Sequence, residues 1–435
     1  MIEAIRAALL KDGRVDGWKL VETASSGVEW YLSGHTLDSA RSVETKLYAL
    51  VVYVDGMDAE GKKTRGAYAT TLMPTISPEE LASTIGRSVR AAGGMRNPWY
   101  PLAEPGAVPG AQPGCGFDGR PLAESMDGLR EALYRPEEGS GANINSLELF
   151  LTRKATRIVN SNGVDVSWSA YSGYVEFIVN ASAAGREEIE LFGEVGFSEP
   201  DYGRLSSAVA LRLRQAADRL AAVPTPAVDG LPVLFREELA AALYGYWFDQ
   251  TQAQAAYEKT SAFQLGESVG AAGDGDTVEL TAIPWLRGNP RSSPCDADGV
   301  VLAPVRCIVG GTLKALRGPV KYMSYLGFAD SGELPLFEMA PGLSGTADLE
   351  ARPHLEAAAF SDFFVDGTTG DFGGELRLGY LVQGEKRQAV RGGSITGSMV
   401  DNRGQVKLSR ELETFSTCRG PAACLVPIAT VSPAE

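Results

Sequence analysis

Two prolines within three residues, at Pro224-Thr225-Pro226, constrain the fold of this chain more than any other feature of its sequence. Proline lacks a backbone N–H and has a fixed φ, so this segment interrupts both helix and strand hydrogen bonding. A long amphipathic helical pattern begins after Ser198-Glu199-Pro200-Asp201 and ends directly before the prolines. A chain of 435 residues also exceeds what one hydrophobic core usually organises. We therefore expect two domains, residues 1–223 and 224–435.

The first half has the pattern of an α/β domain with an antiparallel sheet and flanking helices. Ser77, Pro78 and Glu80 predict a helix start, because Ser77 can cap the helix, Pro78 suits its first position and Glu80 can complete a capping box. A second helix is predicted over 122–133, and Asn162-Gly163 is typical of a hairpin turn. The strands predicted from β-branched and aromatic runs are 46–56, 65–72, 146–152, 174–179 and 188–195.

Residues 101–121 are dense in proline and glycine, a composition that excludes a regular helix or strand ladder. We expect a long loop over this segment. Loops of this length are often lids or partner-binding segments, and a plain surface connection is the alternative.

The second half is rich in glycine and in short strand patterns, with one conspicuous helix predicted from about Glu237 to Tyr257. Aromatic residues occur on more than one face of that helix. We therefore expect strands to enclose it, with Trp247 and Phe248 mostly buried. A β-rich, barrel-like domain around a central helix follows, and the predicted class of the whole chain is α+β.

Five segments of the chain resemble the TldD/PmbA family, whose members are also called modulators of DNA gyrase or microcin-processing peptidases. The first is Val159-Asn160-Ser161-Asn162-Gly163-Val164, before a strand pattern in the first half. The others lie in the second half, at residues 260–266, 360–374, 384–385 and 394–398. Their order and spacing match the family from about residue 10 to the C-terminus, and the resemblance implies the same two-part fold.

In the catalytic branch of that family, an HExxxH motif lies on the helix before the segment at 260–266, and a cysteine near the C-terminus completes a zinc site. The corresponding residues here, 233–244, contain Glu237 and Glu238 but no histidine. A catalytic zinc needs three protein ligands and an open position for water. The resemblance therefore places this chain closest to the zinc-less PmbA/TldE branch.

The rest of the sequence supplies no replacement for the missing ligands. The only two histidines, His35 and His354, lie in unrelated turn contexts. Cys418 lies near the position of the family's cysteine ligand, and we interpret it as a core thiol or a relic of that site. Acidic turns at 274–276, 296–299 and 366–371 lack the twelve-residue calcium loop. We expect no metal and no cofactor.

Charge and composition exclude several partners. The net charge of −15, from 40 Lys and Arg against 55 Asp and Glu, argues against nucleic-acid binding, which depends on basic residues neutralising phosphates. No apolar stretch approaches a membrane span, and the N-terminus does not have the pattern of a signal peptide. The five irregularly spaced cysteines do not suggest a disulfide framework. We expect a cytoplasmic protein.

Two functional hypotheses remain open. The first is a non-catalytic subunit that pairs with a zinc-bearing TldD-like protease and helps to enclose an unfolded peptide. The glycine-rich segments 370–374 and 392–397 would offer their backbones to that peptide. The second is a self-contained homodimeric peptidase or hydrolase with metal-independent carboxylate chemistry. Its candidate acids and bases are Glu237, Glu238 and Asp371, and the candidates for substrate binding are Ser261, Phe263, Gly370 and Phe372.

Overall fold

The structure is a computed structural model that describes residues 1–107, 114–186, 188–228, 230–270 and 273–434. The first half forms one antiparallel seven-stranded sheet with the strand order β4-β3-β2-β1-β5-β6-β7. Its helices pack on the sheet and bury two apolar clusters. The elements of this half are α1 (Ile2–Lys11), β1 (Gly17–Ser33), β2 (Thr36–Met57), β3 (Lys63–Leu72), α2 (Pro78–Gly93), β4 (Asn97–Pro98), α3 (Leu122–Tyr134), a 3-10 turn (Arg135–Glu137), β5 (Asn143–Asn160), β6 (Asp165–Ala181), β7 (Ile189–Phe197) and α4 (Tyr202–Ala221).

Local signals in the first half are confirmed. The Ser77 side chain caps α2 by accepting a hydrogen bond from the Glu80 N–H, and the Glu80 carboxylate accepts one from the Ser77 N–H at 3.0 Å. The turn at Asn162-Gly163 joins β5 to β6, and β2 pairs with β3 as a hairpin. The predicted loop at 101–121 ends where α3 begins, and its residues 108–113 lie outside the described part of the chain.

The second half forms two open sheets with α5 between them. One has the order β12-β11-β10-β13-β20-β19, and the other has the order β18-β21-β9-β14-β15-β16-β8, with β17 paired to β15 and β22. The elements are β8 (Val223–Pro224), β9 (Val233–Arg236), α5 (Glu237–Asp249), α6 (Ala253–Glu258), β10 (Leu280–Ile283), β11 (Val305–Val309), β12 (Thr312–Leu313), α7 (Val320–Leu326), β13 (Leu336–Met339), α8 (Thr346–Glu350), β14 (His354–Val365), β15 (Asp371–Gln383), β16 (Lys386–Arg391), β17 (Ser394–Ser398), β18 (Lys407–Leu408), β19 (Leu412–Thr414), β20 (Cys418–Pro421), β21 (Ala423–Val426) and β22 (Ala429–Ser432).

The α+β class is confirmed. The central helix is held by β9, β14 and β21 of one sheet and by β10 and β20 of the other. No described sheet closes into a barrel, so the enclosure that the aromatic pattern predicted is a sandwich of two open sheets around one helix.

The central helix is shorter than its apolar pattern predicts. It ends at Asp249 instead of continuing to Tyr257. Two hydrogen bonds fix this end, since the Thr251 hydroxyl donates to the Phe248 carbonyl and the Gln250 side chain donates to the Gly367 carbonyl at 2.6 Å. The separate helix α6 then follows. Trp247 is buried as predicted, whereas Phe248 is only partly buried because it lines a cavity.

The two halves share one of their hydrophobic clusters. Leu378 and Tyr380 of β15 pack with residues of the first sheet and of α4, and the Tyr380 hydroxyl donates to Asp218 at 2.6 Å. The proline-rich segment is also fixed, since Val223 and Pro224 pair with β16 and Thr225 is 2% exposed. The segment at which the sequence places the domain boundary is therefore part of a sheet edge.

Two further observations concern the chain as a whole. All five cysteines are free thiols. Within the described ranges, no helix combines the length and apolar composition needed to cross a bilayer.

Candidate functional site

A groove follows one side of α5 and consists of two adjoining cavities of about 650 and 600 Å³. The two cavities share four lining residues, Ala241, Ala242, Arg291 and Thr417. Elements of both halves form the second cavity, since β6, β7 and α4 contribute to its walls together with α5 and residues 413–417. The groove is therefore a product of the packing between the halves.

The floor of the groove is made of small residues. Ala241 and Gly245 are four positions apart, so they lie on the same face of α5, with Ala242 beside them. A Cβ atom placed on Gly245 would have no heavy atom within 4 Å. The helix backbone is thus open to a ligand at Gly245. The opposite face is anchored in the core, where the Tyr244 hydroxyl donates to the Pro421 carbonyl at 2.9 Å.

Glu237 lies at the start of α5 and is partly buried at the wall of the second cavity. Its φ of 55° puts it in the left-handed region, which costs a residue with a side chain roughly 1–2 kcal/mol. Burial raises the pKa of its carboxyl group, and the charges of Arg212 and Arg236 act in the opposite direction. A strained carboxyl group with a raised pKa in a cavity is a candidate for acid or base chemistry.

The neighbouring Glu238 is exposed and already has hydrogen-bond donors. Its carboxylate accepts from the Ser416 backbone N–H at 2.9 Å and from the Ser416 hydroxyl at 2.6 Å. These bonds tie the start of α5 to the segment before β20. Glu238 therefore has a positioning role at this end of the groove.

At its other end, the groove is closed by Arg317 and Asp249. The Arg317 guanidinium lies 3.4 Å from the centroid of the Phe248 ring and donates to the Leu334 carbonyl at 3.1 Å. Burial lowers the pKa of Arg317 to about 10 and raises the pKa of Asp249. Arg317 joins the end of α5 to the segment before β13, so its contacts are structural.

The third candidate acid or base, Asp371, is remote from Glu237. It closes the turn at 366–371, which packs on the C-terminal end of α5 through the bond from Gln250 to Gly367. Glu237 begins the same helix, whose thirteen residues extend over about 18 Å, so Glu237 and the turn that contains Asp371 lie at opposite ends of α5. This geometry does not bring Asp371 and Glu237 together as an acid–base pair.

The four candidates for substrate binding do not line the groove in the part of the chain that the structure describes. Phe263 and Phe372 are buried, 6.4 Å from the Tyr246 ring and 5.6 Å from the Phe235 ring, respectively. The Ser261 hydroxyl donates to Gln250 at 2.8 Å. Gly370 has a φ of 79° and lies against the Tyr246 ring. Ser261, Phe263 and Gly370 thus contact the C-terminal end of α5, whereas Phe372 packs in the core against β9.

The glycine-rich segments are paired within the chain. Gly373 and Gly374 of β15 pair with Thr396 and Ile395 of β17, and β17 pairs on its other side with β22. The segment beyond Gly392 is thus covered on both edges. The expectation that these glycines accept a peptide strand is wrong, because their small size serves close packing between strands of the same chain.

The position where the family resemblance implies zinc does not fit this metal. Glu238 lies there with its oxygens occupied by Ser416, and His35 and His354 lie elsewhere. His35 is an exposed turn residue 3.3 Å from Glu137, and His354 begins β14 with Nδ1 2.6 Å from the Arg352 carbonyl. No cluster of three or more potential ligands occurs among the described residues.

Cys418 begins β20, close to Glu238, and is fully buried. Burial raises the pKa of its thiol to about 12. Zinc binds the thiolate form, so a thiol that resists deprotonation is a poor ligand. Cys418 therefore acts as part of the core.

Sequence reasoning did not find the small residues of the groove or the cavity arginine Arg212. The run Ala240-Ala241-Ala242 followed by Gly245 is a usable signal, because small residues four apart mark a close approach to a helix. Arg212 carries no such signal. It lies between core positions of an amphipathic helix, where a basic residue is ordinarily exposed.

Comparisons with known proteins agree on the fold. Residues 229–432 match the family model of the PmbA/TldA metallopeptidase C-terminal domain. A comparison with curated proteins found no significant match. Among solved structures, a proposed modulator of a DNA gyrase from Thermotoga maritima MSB8 aligns with a TM-score of 0.79 at 16% identity, over 99% of this chain and 100% of that chain.

Two further solved structures are similar over the full length. TldE from Thermococcus kodakarensis aligns with a TM-score of 0.76 at 14% identity and covers 100% of both chains. A proposed modulator of DNA gyrase from Bacteroides thetaiotaomicron VPI-5482 aligns with a TM-score of 0.77 at 16% identity, over 100% of this chain and 98% of that chain. At such low identities the similarity shows a shared fold.

Proposed function

This chain is a member of the TldD/PmbA family through its C-terminal domain, and from that premise we propose that it is a non-catalytic subunit of a zinc protease. Its partner is a zinc-bearing TldD-like chain, and its substrate is an unfolded peptide that the two chains enclose together. The family membership confirms the resemblance that the sequence motifs indicated.

One observation supports this proposal most. The groove along α5 is open, while the residues at its polar end do not fit a metal. Glu238 is bonded to Ser416, the Cys418 thiol is buried, and no imidazole lies nearby. A binding groove without metal ligands is what a subunit needs if it positions a peptide that another chain cleaves.

The experiment is co-expression with a TldD-like protease, followed by a pull-down and a peptide-cleavage assay. We expect a stable complex, no cleavage by this chain alone, and cleavage by the pair that a chelator abolishes. The control is the same partner with its HExxxH motif mutated, which should bind but not cleave. Chelator-insensitive cleavage by the isolated chain would contradict the proposal.

Glu237 gives specific support to a second candidate, a self-contained homodimeric hydrolase with carboxylate chemistry. Its carboxyl group is strained, has a raised pKa and lines a cavity. If this candidate is correct, the isolated protein cleaves peptides and Glu237→Gln abolishes the activity. Glu413→Gln, at the same cavity, should then leave most of the activity intact.

We also propose that the protein works in the cytoplasm. Five free thiols in one chain are typical of a reducing compartment. Expression as a fluorescent fusion in the native host, with fractionation, would test this location.

A further inference from the structure

Arg212 is a cavity residue whose charge is not matched by a close partner. It lies on α4, its aliphatic part packs over Gly193 of β7, and the residue lines the second cavity of the groove. Its side chain donates to the neutral Gln215 amide oxygen at 2.7 Å. Partly buried charges are ordinarily paired, because desolvation is costly.

No acidic oxygen of the described residues lies within 4.0 Å of this guanidinium. Glu194 and Glu237 influence it only through longer-range electrostatics. Glu194 accepts a hydrogen bond from the Tyr174 hydroxyl at 2.5 Å, and the backbone of Glu237 is fixed at the start of α5. Burial lowers the pKa of Arg212, which shows that its surroundings do not fully compensate the charge.

A nearby arginine of α4 differs in this respect. Arg204 donates to the Gly196 carbonyl at the edge of β7, which fixes its side chain on the protein. Arg212 faces the cavity beside the same edge, where Gly193 and Gly196 have no side chains to fill the space. A ligand in the groove would therefore meet a planar cation with free donors.

We propose that Arg212 binds a carboxylate of the peptide held in the groove. Guanidinium and carboxylate groups can form two parallel hydrogen bonds, which fix the direction of the ligand as well as its position. The inference rests on the proposed function, since it assigns the polar anchor of the same groove. A carboxylate at the end of the peptide chain and one on an Asp or Glu side chain share this chemistry, and the experiment distinguishes them.

The experiment measures binding of peptides that carry an uncharged dye at the amino end, by fluorescence anisotropy with the purified full-length chain. One peptide has neutral side chains and a free carboxyl end, the second has an amidated end, and the third is amidated with one Asp. We expect amidation to weaken binding by roughly ten- to a hundred-fold if the terminal carboxylate is bound. Tighter binding of the Asp-containing peptide than of both neutral peptides would assign the side-chain carboxylate instead, and either result supports the inference.

The variants are Arg212→Gln, Arg212→Lys and the control Arg214→Gln, in which an exposed arginine of the same helix is replaced. In Arg212→Gln the three peptides should bind equally, whereas Arg212→Lys should keep part of the discrimination and Arg214→Gln all of it. Equal binding of the three peptides by the unmodified chain would overturn the inference and leave the proposed function standing. If none of the peptides binds, the inference also falls, whereas the proposed function is decided by its own pull-down and cleavage assay.

Discussion

At the scale of single residues, the start of α5 carries the most information about function. In the catalytic branch of the family this place is expected to carry zinc ligands. Here Glu238 is bonded to Ser416 and Cys418 is buried with a raised pKa. These side chains hold the start of α5 by hydrogen bonding and packing, so the groove keeps its shape without a metal.

The first prediction is that the purified protein carries far less than one equivalent of zinc. Its buried thiol and its hydrogen-bonded carboxylate do not provide three accessible ligands. Elemental analysis after gel filtration measures the content, and a TldD-like partner purified in the same way is the positive control. Near-stoichiometric zinc that disappears in Cys418→Ser would contradict the prediction.

A second prediction concerns the pH dependence of Glu237. The raised pKa means that the folded protein binds a proton more tightly than the unfolded chain, so this group favours folding at low pH and costs stability as pH rises above about 4.5. Glu237→Gln should therefore gain free energy of unfolding relative to the unmodified chain as pH increases from 4 to 8. Glu124→Gln, at an exposed position of α3, is the control. A constant difference across this range would contradict the assignment.

At the scale of elements, α5 combines a core anchor with an open face. Tyr244 and Trp247 fix it between the two sheets, whereas Ala241, Ala242 and Gly245 leave the groove free. Glycine within a helix destabilises it relative to alanine, because glycine loses more backbone conformational entropy on folding. Glycine at position 245 therefore keeps the groove open but lowers the stability of α5.

The third prediction tests these two effects of Gly245, on stability and on peptide binding. Gly245→Ala should raise the free energy of unfolding by about 0.5–1 kcal/mol without weakening peptide binding, because its Cβ has open space around it. Gly245→Leu should fold equally well but weaken peptide binding, since its side chain fills the groove. Chemical unfolding and peptide anisotropy measure the two effects. Unchanged peptide binding in Gly245→Leu would place the peptide outside this groove.

At the scale of the whole molecule, we propose that residues 1–223 and 224–435 are two domains that unfold together. The cluster around Leu378 and Tyr380 contains residues of both halves, and Lys19 of β1 forms an ion pair with Asp298. The second cavity also has walls from both halves. Relative movement of the domains would therefore disrupt both a hydrophobic core and the candidate site.

The fourth prediction is that Leu378→Ala destabilises both halves. Removal of this fully buried side chain should cost about 2–5 kcal/mol, since it leaves a cavity in the shared cluster. Hydrogen exchange should quicken in α4 as well as in β14 and β15. The control Leu343→Ala removes a side chain that is 81% exposed and should change little. Unchanged exchange in α4 would show that the halves unfold independently.

The sequence by itself determined the features that depend on neighbouring residues. The capping box of Ser77 and Glu80 joins groups three positions apart, and the Asn162-Gly163 turn joins adjacent strands, so their chemistry is complete within a short segment. The enclosed helix could also be predicted from aromatic residues on more than one of its faces, and the absence of a histidine pair from the two histidines and their positions.

Only the tertiary structure decided what depends on distant partners. Helix α5 ends at Asp249 because Gln250 bonds Gly367, and Pro224 joins a sheet because Arg391 lies beside it. Arg212 faces a cavity because the two halves meet there. Each of these outcomes rests on contacts between segments more than 20 positions apart in the chain, and a local sequence pattern contains no information about which segments fold together.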